Sequence, residues 1–175
     1  MKKELIGKNQ NIKTQIKMFK TIILRNKKLR KLLEILDKSE LTNYYVTASC
    51  VSKTIFNYYH SYNMDYAIDE YEIIYKDQSI KEDYIRRLVG GVDIELKVTS
   101  INNLEENLED YINNQKIIAL SVGVKMEQGM LNVYAPYGLN DIFSMTIRGN
   151  ILSTSNNYLQ EAHELHKIWP QLLIK

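Results

Sequence analysis

Glu70-Tyr71-Glu72-Ile73-Ile74-Tyr75 is the stretch whose reading decides the fold. Its aromatic and β-branched residues mark a strand. Side chains alternate along a strand, so Glu70 and Glu72 point to the same face. Two carboxylates on one face at the edge of a buried sheet are costly unless something cationic binds them. A divalent metal held by hard carboxylate oxygens is the simplest such cation; the ordinary alternative is that the pair is its strand's solvent face. Upstream, Thr47-Ala48-Ser49-Cys50 places small residues where a strand hands over to a helix.

Periodicity organises the chain around these two segments. Ile12, Ile16, Phe19 and Ile23 recur at helical spacing and predict an amphipathic helix over about 9–24. Leu29, Leu32, Leu33 and Leu36 predict a second helix with one sharply apolar face. Tyr44-Tyr45-Val46-Thr47 reads as a strand, followed by a helix packing through Val51, Ile55, Tyr58, Tyr59 and Tyr62. Beyond the acidic strand, Ser79 and Glu82 have the spacing of a capping box, opening a helix that Gly90-Gly91 ends. Residues 93–98 alternate charged with apolar side chains as a half-exposed strand does, and Leu104, Leu108, Tyr111 and Ile112 mark another helix. Two strands, 117–125 and 130–134, are expected to meet at Glu127-Gln128-Gly129, with a helix over 139–147. Ser155 is expected to cap a last helix carrying Leu159, Ala162, Leu165 and Trp169 and stopped by Pro170. Strands alternating with helices imply an α+β fold, a mixed sheet of about five strands covered by helices, with an N-terminal helical pair.

The length of 175 residues suits one domain: a basic helical segment over 1–40, then the sheet and its covering helices over 41–175. A hydrophobic share of 45% and a charged share of 25% are ordinary for a soluble protein. No apolar run is long enough to span a bilayer, and no long apolar segment follows the basic start, so neither membrane insertion nor a signal peptide is expected. The lone Cys50 suits a reducing cytoplasm. The net charge of +2 hides an asymmetry, since residues 1–38 sum to +9 and the remainder to −7. Such a basic segment can attract RNA or another acidic partner, or can be a solvated face neutralised by the rest of the chain.

In nucleotidyl transfer, metal joins the attacking oxygen to the α-phosphate and neutralises the departing pyrophosphate. Glu70 and Glu72 can supply a metal-binding pair, with Glu95, or Asp93 two residues earlier, as third carboxylate from a neighbouring strand. A tight turn of small residues before a helix lets backbone N–H groups approach a triphosphate, as Ala48-Ser49-Cys50 would. Taken in this order, these elements make the chain resemble the stand-alone bacterial nucleotidyltransferase-like family of the DNA polymerase β superfamily. That family is similar to the head domain of CCA-adding enzymes. The resemblance runs from about Ile16 to Leu173 and rests on Leu29-Arg30-Lys31-Leu32-Leu33, 45–51, Ile73-Ile74-Tyr75 and Val122-Gly123-Val124. It rests further on 135–143, on Arg148 with Asn150, and on Trp169-Pro170; Ala135-Pro136-Tyr137-Gly138-Leu139 is among its most distinctive blocks.

The resemblance implies two magnesium ions held by Glu70, Glu72 and Glu95, with Glu95 also helping to deprotonate the acceptor. It implies a nucleoside triphosphate held by Ala48 and Ser49, with Lys53 replacing an absent arginine and Tyr137 stacking on the base. The departures fall on the chemistry. The family's glycine is Ser49 here, its Arg-Asn pair is Ser52-Lys53, its Asp-Ile-Asp is Glu70-Tyr71-Glu72, and its Asn-Gln-Ala-Arg run after the basic position at Lys97 is 98–101. The extra methylene of Glu70 moves its carboxylate by about 1 Å, and such a misplacement can cost about 100-fold in rate. A catalytically degenerate fold acting as a binding or regulatory module is therefore the competing expectation. His163 with His166, and Cys50 with His60, lack the further ligands or orienting groups that would make them sites.

Overall fold

The first two helices form because each repeats an apolar stripe and opens on an asparagine. The computed structural model describes residues 6–47, 49–103, 105–153 and 157–175. Helix α1 spans Ile12–Ile23 and begins at Asn11, whose side chain accepts the Thr14 N–H. Helix α2, Lys27–Asp37, begins at Asn26, which accepts the Leu29 N–H. Asn26 is fully buried, and its amide also donates to Thr54 Oγ1 (2.9 Å) and the Met64 carbonyl (3.2 Å). One side chain thus caps α2 and ties it to the next helix.

Strand β1 is Tyr44–Thr47 and helix α3 Ser49–His60. Strand β2, Tyr71–Tyr75, is buried throughout, and α4, Glu82–Val89, leads into β3, Leu96–Ser100. Helix α5, Leu108–Asn113, opens with a capping box between Asn107 and Asp110. A 3₁₀ turn at Ile118–Leu120 precedes the hairpin of β4, Gly123–Glu127, and β5, Met130–Tyr134. Helix α6, Asn140–Phe143, β6, Thr146–Ile147, α7, Leu159–Ile168, and β7, Leu173–Ile174, complete the chain.

The main sheet has order β3-β2-β1-β4-β5; β2 and β3 run parallel and the other neighbours antiparallel, so the sheet is mixed. Alternation gives it two different faces. Val46, Tyr71, Ile73, Tyr75 and Val124 pack with residues of α1, α2 and α3 in the principal core. The opposite face carries Ile74 and Tyr45, which pack against Leu108, Tyr111 and Ile112 of α5. Gly123 permits that approach, because a Cβ there would sit 2.5 Å from Ile112 Cδ1 and 3.1 Å from Tyr45 Cδ1. The fold is α+β, as expected. No helix among the described residues is long and apolar enough to cross a membrane.

Local departures have identifiable causes. Ser79 does not cap α4: its N–H and hydroxyl both go to Asp77 Oδ1, and the helix starts later, after Lys81. The strand expected over 93–98 lies at Leu96–Ser100, because its ladder is set by pairing with β2. The helix expected over 139–147 is one short turn followed by β6, which pairs in parallel with β7 beyond Pro170. Leu104 and the expected cap at Ser155 lie outside the described residues.

Candidate functional site

The acidic strand places Glu72 in the middle of a cross-strand row on the α5-facing side of the sheet. Lys97 of β3 is its partner in the parallel ladder, and Thr47 of β1 its partner on the other side. Glu72 is only 5% exposed. Its Oε1 lies 3.0 Å from Lys97 Nζ, and accepts hydrogen bonds from the Tyr111 hydroxyl (2.8 Å) and the Thr99 hydroxyl (3.1 Å). A carboxylate taken out of water loses several kcal/mol of hydration, which these three donors offset. The hydrogen bond to Glu72 holds the Lys97 ammonium above its ordinary pKa, against a smaller opposing effect of burial. Burial, then Glu72 itself, holds the Tyr111 phenol well above its ordinary value, so Tyr111 is a donor at any physiological pH.

Glu70 shares the face of Glu72, as alternation requires, and its Oε1 lies 3.9 Å from the same Lys97 Nζ. The two carboxylates therefore converge on one cation position. Glu95 is exposed just before β3; its carbonyl accepts the Tyr71 N–H, and it lines a separate hollow beside α4 with Arg86 and Val89. Among the described residues no three Asp, Glu, His or Cys side chains gather as a metal site. Carboxylate oxygens are the donors a hard divalent ion takes, but here the position they face is held by the Lys97 ammonium, and the third carboxylate of a two-ion arrangement is not gathered with them. Asp93, the other expected third acid, pairs with Lys28 at 3.5 Å.

The start of α3 lies beside this row. Ser49 opens the helix, and Ala48 lies outside the described residues. The Cys50 thiol is fully buried and is pushed up to about 12, burial outweighing the Glu72 backbone hydrogen bond that opposes it. With no exposed surface, the thiol is out of a substrate's reach. Ser52, at the family's arginine position, is buried and donates to the Ala119 carbonyl (2.6 Å). Lys53 pairs with Asp69 at 3.1 Å, and its ammonium stands 5.7 Å from the centre of the Trp169 ring. Tyr137 lies in the turn before α6, where its hydroxyl donates to the Asn113 carbonyl at the end of α5 (2.9 Å). Lys53 and Tyr137 are thus engaged within the protein.

Among the described residues, several cations of the N-terminal helical pair are engaged with the rest of the chain. Lys28 bridges Asp65 and Asp93, Arg30 pairs with Glu34, and Lys31 donates to the Gly91 carbonyl. Lys13, Lys17 and Lys27 remain on exposed faces of the helical pair.

Lys97, Thr99 and Tyr111 were missing from the site as read from sequence. The signal for Lys97 and Thr99 was their shared parity on one strand. The pairing of Lys97 with Glu72 needs the parallel register, which no local pattern encodes. Tyr111 sat in a helical apolar stripe and so read as packing alone.

The family model described as Nucleotidyltransferase matches residues 34–174. No curated protein matches the chain. Among solved structures, one whose description reads that the NMR structure reveals a CCA-adding enzyme head domain aligns over 97% of this chain and 98% of its own, with a TM-score of 0.67 and 14% identity. A tRNA-processing enzyme complex aligns over 82% of this chain and 42% of its own, with a TM-score of 0.51 and 12% identity. At such identities these likenesses show the fold alone. The match over 34–174 spans more than half of the chain, and the chain belongs to the nucleotidyltransferase family.

Proposed function

We propose that the chain transfers a nucleoside monophosphate from a nucleoside triphosphate to an acceptor hydroxyl, beside the acid pair and the start of α3. The observation that carries this reading is the convergence of Glu70 and Glu72 on a single cation position. Family membership supports nucleotidyl transfer in general. In the reaction the acceptor oxygen bonds to the α-phosphorus, the bond from that phosphorus to the pyrophosphate oxygen breaks, and the hydroxyl proton passes to a carboxylate, a task Glu95 would take only once brought across from the hollow beside α4. Magnesium held by Glu70 and Glu72 in place of the ammonium would supply neutralising charge at the phosphates. A second magnesium ion would need Glu95 brought across from the hollow beside α4.

The chain's own groups have distinct tasks in this reading. Lys97 is a long side chain, 46% exposed, that can swing away from Glu72 and keep a cation beside the departing pyrophosphate. Tyr111 and Thr99 hold Glu72 in orientation when Lys97 leaves. The first N–H groups of α3, with Ser49, offer donors and a favourable dipole to the triphosphate. Lys53 and Tyr137 would reach phosphate and base only by leaving Asp69 and Asn113.

The Lys97 clasp also favours a second reading, in which the acid pair is permanently neutralised and the fold serves as a binding or regulatory module. Pyrophosphate release from nucleoside triphosphates with magnesium separates the two. The first reading expects release by the wild type and none by Glu72→Gln. No release, together with no triphosphate binding at millimolar magnesium, ends the first reading and supports the second. An RNA or acidic partner for residues 1–38, and a cytoplasmic location, are secondary proposals; a steep fall of affinity with salt would support the former.

A further inference from the structure

Three cationic residues stand on backbone segments that are hydrogen-bonded side by side, away from the acid pair. The Asn150 N–H donates to the Lys116 carbonyl (2.8 Å) and the Ile118 N–H to the Arg148 carbonyl (3.1 Å), with Ile117 opposite Gly149 in an antiparallel bridge. On the other flank Ile147 pairs with Ile174, and the Lys175 N–H donates to the Ile147 carbonyl (2.9 Å). Paired segments lie about 5 Å apart. Lys116, Arg148 and Lys175 therefore follow one another at a spacing that the backbone fixes.

All three line one hollow of about 310 Å³, together with Tyr158. Arg148 and Lys175 also line an adjoining hollow of about 300 Å³, which Lys8 borders. The carboxylate side chain on these rims is Asp141, and Arg148 Nε holds it at 2.6 Å. Lys8, Lys116 and Lys175 make no ion pair among the described residues, so the side chains that line the hollows carry a surplus of positive charge. The loop that presents Arg148 is pinned from beneath. Asn150 is 5% exposed, donates to the Asn113 (2.6 Å) and Gln115 (2.9 Å) carbonyls, and accepts the Leu152 N–H (3.0 Å). The Tyr158 ring is fixed as well: its hydroxyl donates to the Lys175 carbonyl (2.8 Å), and a Cβ at position 149 would lie 2.6 Å from the ring.

We propose that the two hollows together bind a chain of phosphates, presented by a free oligophosphate or by the backbone of a nucleic-acid strand. Two adjoining hollows sharing Arg148 and Lys175 suit successive anionic groups better than a single carboxylate. A guanidinium flanked by ammonium groups is the donor set that phosphate oxygens accept best. Asn113, held by Asn150, lies two residues from Tyr111, which holds Glu72; one short helix therefore contacts both sites. The inference does not require the chain to catalyse nucleotidyl transfer, because binding is read directly.

The experiment is fluorescence anisotropy of a labelled single-stranded RNA, with inorganic tripolyphosphate titrated both as competitor and, by calorimetry, alone. Wild type is expected to bind at least one probe at low salt. Lys116→Gln with Lys175→Gln should weaken that binding at least tenfold, and should reduce the slope of log affinity against log salt by about 1 to 2. Lys81→Gln with Arg87→Gln removes the same charge from the exposed start and end of α4, outside both the hollows and residues 1–38, and should change the affinity less than threefold. Displacement of RNA by tripolyphosphate assigns a general phosphate site; RNA binding without displacement assigns the strand backbone, and tripolyphosphate binding alone the free anion. No binding of either probe by wild type, or an equal or larger loss in the α4 pair, overturns the proposal. Circular dichroism of each variant confirms that it is folded.

Discussion

Removing the ammonium of Lys97 perturbs the site at its centre. In Lys97→Met the stem is kept and the charge is lost, leaving Glu72, with a side chain 6% exposed, to its two hydroxyl donors. At 3.0 Å and an effective dielectric of about 20, the Coulomb attraction has a ceiling of about 5.5 kcal/mol. Lys97 is 46% exposed, so water screens the pair and part of that attraction is lost. Removing one member of a fully buried pair costs about 3–5 kcal/mol, and of an exposed pair at most about 1. The mixed geometry places Lys97→Met near 2 kcal/mol, or about 4–8 °C in Tm for a domain of this size. The assay is a double-mutant cycle with Glu72→Gln, followed by urea unfolding at neutral pH. A coupling of about 1–2 kcal/mol is expected, against less than about 0.5 for the cycle with Glu70→Gln, whose oxygen lies at 3.9 Å. A Glu72 coupling below about 0.3 kcal/mol, the scatter of independent sites, would refute the clasp.

Three further outcomes follow from the packing. Asn26→Ala removes the α2 cap and the donor to Thr54 and Met64, and should cost about 2–3 kcal/mol in urea unfolding. Gly123→Ala drives a methyl against Ile112 and Tyr45 and should cost about 1–3 kcal/mol, with Ile112→Val in the same chain recovering part of it. Burial pushes the phenols of Tyr44, Tyr59 and Tyr71 up to about 12 and those of Tyr45 and Tyr111 higher still. Above about pH 10 the unfolded chain loses those protons while the folded one keeps them, so stability must fall as pH rises beyond that point. Absorbance titration of the phenolate should show these five ionising late, and together with unfolding.

The fold was readable because its elements rest on local signals. The leucine stripe of α2, the alternation of β2 and the small residues before α3 each name one structure. What escaped depended on pairing between distant segments. The two-residue strands β6 and β7 are too short to carry a pattern of their own, and they exist because residues 146–147 meet residues 173–174. Ser79 followed by Glu82 is a sound capping signature, but Asp77 competes for the serine from two residues away. The acid pair was placed on the right face by period alone. Its neutralisation by Lys97 could not be read, because a parallel register is set by the crossover through α4 and not by residues 96–100 alone.

Glu70 and Glu72 form one cation position that Lys97 fills. Calorimetric titration of manganese into the folded variants tests it most directly. Lys97→Met should bind one manganese ion at least tenfold more tightly than wild type, and adding Glu72→Gln should abolish the gain. Binding by Lys97→Met that is no tighter than wild type, or a gain that survives Glu72→Gln, would mean that the two carboxylates do not share a cation position.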